Sequence, residues 1–419
     1  MASRTKKLSR LVGAVAALAS ATIMLSACTA APGDSGGDGQ KDKVFLNLSY
    51  SGNNWQDEAA NLAMAIAEAP ENAEKYDVTK QISGTDVQKQ ISDLQSMIAS
   101  GAKLIVSYPI SPTALKQVVQ EGCDRGVTFV FYDSTVNAEC AYNVAFITGA
   151  LADDPERAFF GAQTAQALVD LLGGEGKIFL NRGVAGTSTD AVHFDTAMAV
   201  FNKHPGIEIV AEFYGSWDSS QSQQETAKAL AAHPDVEGVW SQDGEAGVLK
   251  ALEAAGLEIP VTGENSNYFR QRLSEGWPGV SSGSPPAQAG IAMKVGLHIL
   301  EHGADGIPKN IEVPLPWITT ETAKPCEGAD FVDGCNFFPG EADTFVTEVF
   351  QVDLLPEASL DAAKTGTGIT EVQDLPKMTD FAQAEWRRIY TRDACDEGWA
   401  EGTVTENQIP AGLPGCVQP

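Results

Sequence analysis

The chain has 419 residues, 43% of them hydrophobic, with 56 acidic against 28 basic side chains and a formal net charge of −28. Such a surface repels nucleic acid and phosphorylated ligands, so neither is expected as a partner. Length and apolar content together allow two hydrophobic cores.

In chain order, the first feature is an export signal. Arg4, Lys6, Lys7 and Arg10 precede an apolar stretch from Leu11 to Leu25 that only small residues interrupt. It is too short and too weakly flanked for a spanning helix, and residues 1–27 read as a signal peptide. The exit, Leu25-Ser26-Ala27-Cys28, resembles the bacterial lipobox. That resemblance implies a diacylglyceryl group on Cys28 and a place at the cell membrane, lipid-anchored on its extracytoplasmic face. Two acyl chains suffice for stable anchoring, where one is marginal. Cleavage removes four basic residues and no acid, leaving 24 basic against 56 acidic side chains and a net charge of −32.

Residues 28–43 are small and polar, as in a flexible tether. They contain Gly33-Asp34-Ser35-Gly36-Gly37, which matches the surroundings of a serine-protease nucleophile. That chemistry needs a rigid turn beside a base and an oxyanion hole, and a tether supplies neither. The match is coincidental.

With Cys28 assigned to lipid, six cysteines remain, an even number that suggests disulfides in an exported protein. Nearest-neighbour pairing, one of fifteen connectivities, joins Cys123 to Cys140, Cys326 to Cys335 and Cys395 to Cys416. No Cys-x-x-Cys occurs and the five histidines are scattered, so neither a metal site nor a cofactor is expected.

From Val44 short apolar strands alternate with amphipathic helices. Strand Val44–Leu48 leads into helix Asp57–Glu68, and Asp86–Ser100 places Val87, Ile91, Leu94 and Ile98 on one helical face. Strand Leu104–Ser107, helix Pro112–Glu121 and strand Thr128–Tyr132 follow. A second run comprises helix Glu156–Leu172, strand Lys177–Leu180, helix Asp190–Lys203, strand Ile207–Phe213 and helix Gln221–Ala232. It continues through strand Gly238–Ser241, helix Ala246–Ala255, strand Val261–Thr262 and helix Tyr268–Glu275. Gly101, Gly122, Gly256 and Gly276 read as helix closers. Two such runs predict an α/β fold of two doubly wound parallel-sheet lobes, with ligands beyond the carboxyl ends of the strands. Residues 326–419 are rich in Gly, Pro and Asp, hold four cysteines and carry one convincing helix, Asp380–Tyr390. They read as a disulfide-containing C-terminal extension.

Polar and aromatic residues stand after nearly every strand: Asn53, Asn54, Trp55 and Gln56; Tyr108; Asp133; Asn181 and Arg182; Trp217 and Asp218; Gln242 and Asp243; Glu264 and Asn265. Amides and carboxylates fit vicinal hydroxyls, and indole rings offer flat faces to the C–H faces of a sugar. The same positions also suit turns and helix caps.

From about Val44 to Lys324 the chain resembles the periplasmic sugar-binding proteins of ribose/xylose type, the type I solute-binding components of ABC transporters. The matching stretches are Gln88–Pro112, Tyr214-Gly215-Ser216-Trp217-Asp218, His233–Gly244 and Thr262-Gly263-Glu264-Asn265. The resemblance implies a ligand between the lobes, held at Asn53, Asn54, Trp55, Asp133, Trp217, Gln242 or Asp243, Asn265 and Ser284, with Arg182, Asp190 and His193 nearby. Ser134 and Ala191 stand where the ribose binders carry arginines, which points to a different or larger polyol.

The resemblance also implies three crossings between lobes, near Thr148–Asp153, Gly279–Ser284 and Pro314–Ile318. One lobe then takes 44–150 and 284–316, the other 151–283 and 317–325. The expected function is capture of a sugar or polyol and its delivery to an ABC permease with its ATPase, by a monomer. A sensor subunit feeding a membrane receptor or kinase would use the same closure. No His-Glu-x-x-His or nucleophile elbow stands in the body of the chain. Asp133 and Asp243 are the only obvious pair for a glycosidase, so a non-enzyme is expected.

Overall fold

The computed structural model describes residues 41–375 except 50, 52, 135, 137, 146–159, 313–316, 329–334, 342–343 and 346–353. Cys28, Cys395, Cys416, the predicted helix Asp380–Tyr390 and the crossing at 148–153 lie outside the described residues. So do the signal peptide, all but the last three tether residues and most of the crossing at 314–318. Among the described residues no helix is long and apolar enough to cross a membrane.

The first run of elements is β1 (Asp42–Leu48), α1 (Asn54–Ala67), α2 (Pro70–Ala73), β2 (Tyr76–Ile82), α3 (Val87–Ala99), β3 (Ala102–Ser107), α4 (Pro112–Cys123), β4 (Thr128–Tyr132) and β5 (Ala141–Ala145). The second is α5 (Phe160–Leu171), β6 (Glu175–Arg182), α6 (Ser188–Phe201), β7 (Gly206–Tyr214), α7 (Ser219–Ala232), β8 (Gly238–Ser241), α8 (Glu245–Ala255), β9 (Val261–Gly263), α9 (Asn267–Ser274) and β10 (Gly279–Ser281). Then come α10 (Ala287–His302), β11 (Asn310–Glu312), β12 (Ile318–Thr319) and α11 (Leu360–Thr365). Two six-stranded sheets result, ordered β11-β5-β4-β3-β1-β2 and β12-β10-β9-β8-β6-β7. Every pairing is parallel except β10 with β12. The chain therefore passes between sheets three times: after β5, after β10 and after β11.

Central strands are covered on both faces, which explains their continuous apolar runs. In the first lobe Leu104 and Val106 of β3 face one core layer and Ile105 the opposite one. In the second, Phe179 and Val261 lie in one layer and Ile178, Leu180 and Trp240 in the other. Edge strand β2 is mostly uncovered and polar, with Ile82 exposed, so it carries little of the apolar signal that marks its neighbours. Helix α10 escapes periodicity for the opposite reason, since twelve of its sixteen residues are buried.

Several strand-end polar residues serve as helix caps. Asn53 accepts from the Gln56 amide at 2.8 Å, Asp218 from Gln221 at 2.6 Å and Thr187 from Asp190 at 3.3 Å. Gly256 closes α8 in the left-handed conformation. Gly122 is a correction: it lies inside α4 rather than closing it. A Cβ there would stand 2.5 Å from the Phe129 ring, so glycine lets the helix approach β4.

Disulfides Cys123–Cys140 and Cys326–Cys335 are formed, with Cα–Cα distances of 5.3 and 4.8 Å. Beyond Cys326 the described chain straddles both lobes. On the second lobe, Asn267 of α9 donates to the Phe338 carbonyl at 2.8 Å, and Arg270 to the Asn336 carbonyl at 3.1 Å. On the first, Glu58 accepts from the Phe345 amide at 2.9 Å and Asn61 donates to the Ala363 carbonyl at 2.9 Å. Leu354, Leu355, Ala362 and Ala363 join the core that holds α1 and α10.

Candidate functional site

The carboxyl ends of both sheets face one pocket of about 330 Å³, part of it open to solvent. The first lobe contributes Asn53, Trp55 and Gln56 after β1, Tyr108 after β3 and Asp133 after β4. The second contributes Thr189 and His193 from α6, Trp217 after β7, Gln242 and Asp243 after β8 and Glu264 after β9. Ser284, on the crossing after β10, completes the lining. This is where open parallel sheets place ligands.

The lobes touch directly across this cavity. Asn53 Nδ2 donates to the Trp217 carbonyl at 3.1 Å, and the hydroxyls of Tyr108 and Thr189 meet at 2.8 Å. At the crossing, Trp55 Nε1 donates to the Ser284 carbonyl at 2.6 Å, and Ser284 Oγ donates to Asp133 Oδ1 at 2.7 Å. Gln288 of α10 grips Asp133 twice: Nε2 donates to Oδ1 and Oε1 accepts from the Asp133 amide, both at 3.1 Å. One carboxylate thus connects β4, the crossing and α10. The conformation is closed.

Four residues other than glycine have positive φ among the described residues: Asp133 (67°), Ser216 (56°), Trp217 (56°) and Asp243 (134°). Three line the cavity. Left-handed backbone costs energy for any Cβ-bearing residue and gathers where function fixes a side chain. Trp55 stacks on Tyr132 with ring centroids 6.4 Å apart, and Tyr108 meets Tyr132 edge-on at 5.9 Å. Trp217 lines the same cavity from the other lobe.

Of the twelve residues expected to bind ligand, Asn53, Trp55, Asp133, His193, Trp217, Gln242, Asp243 and Ser284 line the cavity. Asn54 does not; it lies with Asn53, Trp217, Asp218 and Phe345 in a neighbouring depression. Arg182 is turned away, with Nη2 2.6 Å from Asp190 and Nη1 2.7 Å from Glu212, and its guanidinium 3.7 Å from the Phe194 ring centre. Asp190 is held by that pair and by the Gly183 amide at 3.2 Å. Asn265 is fully buried outside the lining, and neither amide atom has a hydrogen-bond partner. Its neighbour Glu264 lines the cavity instead. Glu264, Gln56 and Tyr108 stand in segments that the sequence marks, whereas Thr189 carries no sequence signal.

Burial raises the carboxyls. Asp133 is pushed up to about 6 by desolvation, which the Ser284 and Gln288 hydrogen bonds only partly offset. Asp243 and Glu264 are raised further, first by desolvation and then by neighbouring carboxylates, and buried Glu245 behind them is also raised. His193 is held at about 3 by burial, so it is neutral. A carboxyl raised on folding contributes stability below its unfolded pKa that is lost as pH rises through the folded one. Asp133 alone is expected to remove about 2–3 kcal/mol of stability from the ligand-free protein between pH 4 and pH 7. Urea denaturation across that range should show the decline, and Asp133→Asn should reduce it by about that amount, leaving the part due to Asp243, Glu245 and Glu264. An unchanged slope in the variant would mean that Asp133 is not buried as a carboxylate.

Comparison with known proteins agrees with this geometry. The profile of the periplasmic binding protein domain matches residues 44–304. The xylitol-binding protein of Mycolicibacterium smegmatis is 23% identical over 347 residues, covering 77% of this chain and 91% of that protein. The ribose import binding protein of Bacillus subtilis is 23% identical over 184 residues, 43% of this chain and 57% of that one. Among solved structures, a solute-binding protein from Thermobispora bispora superposes with a TM-score of 0.59 at 24% identity, over 80% of this chain and all of that one. A solute-binding protein from Bacillus halodurans, solved with bound myo-inositol, gives 0.56 at 18% identity, over 68% and 97%. Two parallel-sheet lobes, a cavity between their strand ends and the match over 44–304 place the chain in the periplasmic binding protein family.

Proposed function

We propose that the protein is anchored outside the cell by lipid on Cys28, captures a sugar-like polyol between its lobes as a monomer and delivers it to an ABC permease. The observation that carries this reading is the cavity itself, with tryptophans from opposite lobes and polar side chains from nearly every strand end. Relatives named for xylitol and ribose, and a solved relative holding myo-inositol, support the ligand class. Ligand contact is assigned to Asn53, Trp55, Asp133, His193, Trp217, Gln242, Asp243 and Ser284, with Gln56, Tyr108, Thr189 and Glu264 added. Residues 44–150 with 284–316, and 151–283 with 317–325, are assigned to the two lobes, and residues 326–419 to the extension. The crossings between them are the hinge. Closure follows from the ligand's better contacts with the closed state.

A thermal-shift screen of protein lacking residues 1–28, against sugars, polyols and amino acids, tests the reading. At about a thousandfold excess over Kd a ligand stabilises by ~4 kcal/mol, a shift of roughly 5 °C for a chain of this length. A shift with an amino acid alone would overturn the polyol reading. Loss of membrane partitioning in Cys28→Ala would support the anchor, and unchanged partitioning would refute it.

A further inference from the structure

The cavity's polar lining is unbalanced. The donors of Asn53, Trp55, Gln242 and Ser284 are engaged with protein acceptors: the Trp217 carbonyl, the Ser284 carbonyl, the Asp190 carbonyl and the Asp133 carboxylate. Asp133 and Asp243 each accept from protein donors and the Ser284 amide acts on the Glu264 carboxyl, but three acceptor atoms are left over. Glu264 Oε2, Gln56 Oε1 and Gln242 Oε1 are buried and have no hydrogen-bond partner, and all three residues line the cavity. Glu264 is 5% exposed, Gln56 and Gln242 each 1%.

The charge is unbalanced in the same sense. Asp133, Asp243 and Glu264 are in the lining, Glu245 lies behind them, and Asp218 is near enough to act on Asp243. No lysine or arginine is among the lining residues, and His193 is neutral. Arg182 of β6 is paired with Asp190 and Glu212, and buried Arg270 donates to Ser281 and to the Asn336 carbonyl. Tyr108 and Tyr132 bring no positive charge. Among the described residues no group of three His, Cys, Asp or Glu side chains is placed to hold a metal ion.

A neutral polyol hydroxyl donates one hydrogen bond and needs an acceptor as often as a donor. An ammonium donates three, accepts none and carries the missing charge. It also suits aromatic faces such as Trp55, Trp217 and Tyr108. We propose that the preferred ligand is a polyol or sugar bearing a protonated amine, seated against Glu264, Asp243 and Asp133. This rests on the polyol-binding reading above and narrows it.

The test is titration calorimetry with matched pairs: D-glucosamine and D-glucose, a monoamino-inositol and myo-inositol, 1-amino-1-deoxy-D-sorbitol and D-sorbitol. In at least one pair the amine is expected to bind tenfold or more tightly at pH 7.5. Binding should release protons from the raised carboxyls and weaken towards pH 5. A neutral ligand held by protonated carboxyls would instead bind more weakly as pH rises. Glu264→Gln keeps the side chain's shape and should cost the amine at least tenfold more affinity than the neutral member, bringing the ratio within the pair close to one; a ratio unchanged from the parent protein overturns the proposal. Asp243→Asn provides a second variant with the same expectation. Equal or tighter binding of the neutral member in every pair overturns the amine proposal and leaves the polyol reading standing. Binding of no member of any pair overturns both.

Discussion

Trp217→Ala is expected to weaken ligand binding by a hundredfold or more while the protein stays folded. The indole is only 7% exposed, yet it belongs to none of the hydrophobic core clusters of either lobe. It packs on Gly183 and lines the cavity. An aromatic ring of this kind buries 150–250 Å². Withdrawing even half of that from a bound ligand removes roughly 2–3 kcal/mol at about 25 cal/mol per Å², and 1.4 kcal/mol is a factor of ten. Backbone hydrogen bonding should survive, because Asn53 reaches the Trp217 carbonyl and not its ring.

A second variant reads the same contact from the other side. Gly183, at the end of β6, lies beneath the indole, and a Cβ there would stand 2.1 Å from Trp217 Cε2. Gly183→Ala should displace the ring and lose affinity without removing any cavity side chain. Calorimetry on both variants, with thermal melts as the control for folding, decides the matter. Full affinity in both would show that Trp217 does not touch the ligand.

The second large effect is on stability. Lys294 of α10 and Glu357 of the extension form an ion pair at 3.2 Å with side chains only 3% and 5% exposed. Burial pulls Lys294 below the usual lysine range and pushes Glu357 above the usual carboxylate range, with each partner opposing the other's shift. Removing one charge leaves the other buried and unpaired, which costs about 3–5 kcal/mol. Glu357→Ala should therefore lower the unfolding free energy by that amount. Lys294→Met with Glu357→Leu replaces both charges by apolar groups of similar size and should lie within about 1 kcal/mol of the parent protein. Urea denaturation of the single and double variants, read as a cycle, separates the pair from its surroundings. A loss under 1 kcal/mol for Glu357→Ala would mean that the extension peels from α10 before the lobe unfolds.

Extension contacts also bear on closure. Phe345 shares a depression with Asn53, Asn54 and Trp217 at the cleft, and its amide is held by Glu58 of α1. Thr344 next to it accepts from the Asn267 amide of the second lobe. Opening the lobes must therefore break or carry with it hydrogen bonds of the extension on one side.

Sequence alone determined the alternation of strand and helix, and with it two parallel α/β lobes whose ligand residues follow the strands. The signals are short in range: buried strands are apolar over five or six residues, helices start on Asp86 or Asp218, and Gly256 ends one. Neighbouring cysteines 17 and 9 residues apart were also enough to suggest both observed disulfides. Tertiary structure decided the rest, because it depends on partners far apart in the chain. Arg182 and Asp190 look like ligand residues until β6 and α6 pack and pair them with each other. Asn265 is buried outside the lining while Glu264 belongs to it, a difference invisible in composition. Polar edge strand β2 and fully buried α10 show too little periodicity to be read, and the residues after 326 find their core only against α1 and α10. The acceptor-rich character of the cavity is of this second kind as well. Each carboxylate is ordinary in the chain, and only closure of two sheets on one space puts them together without a cation.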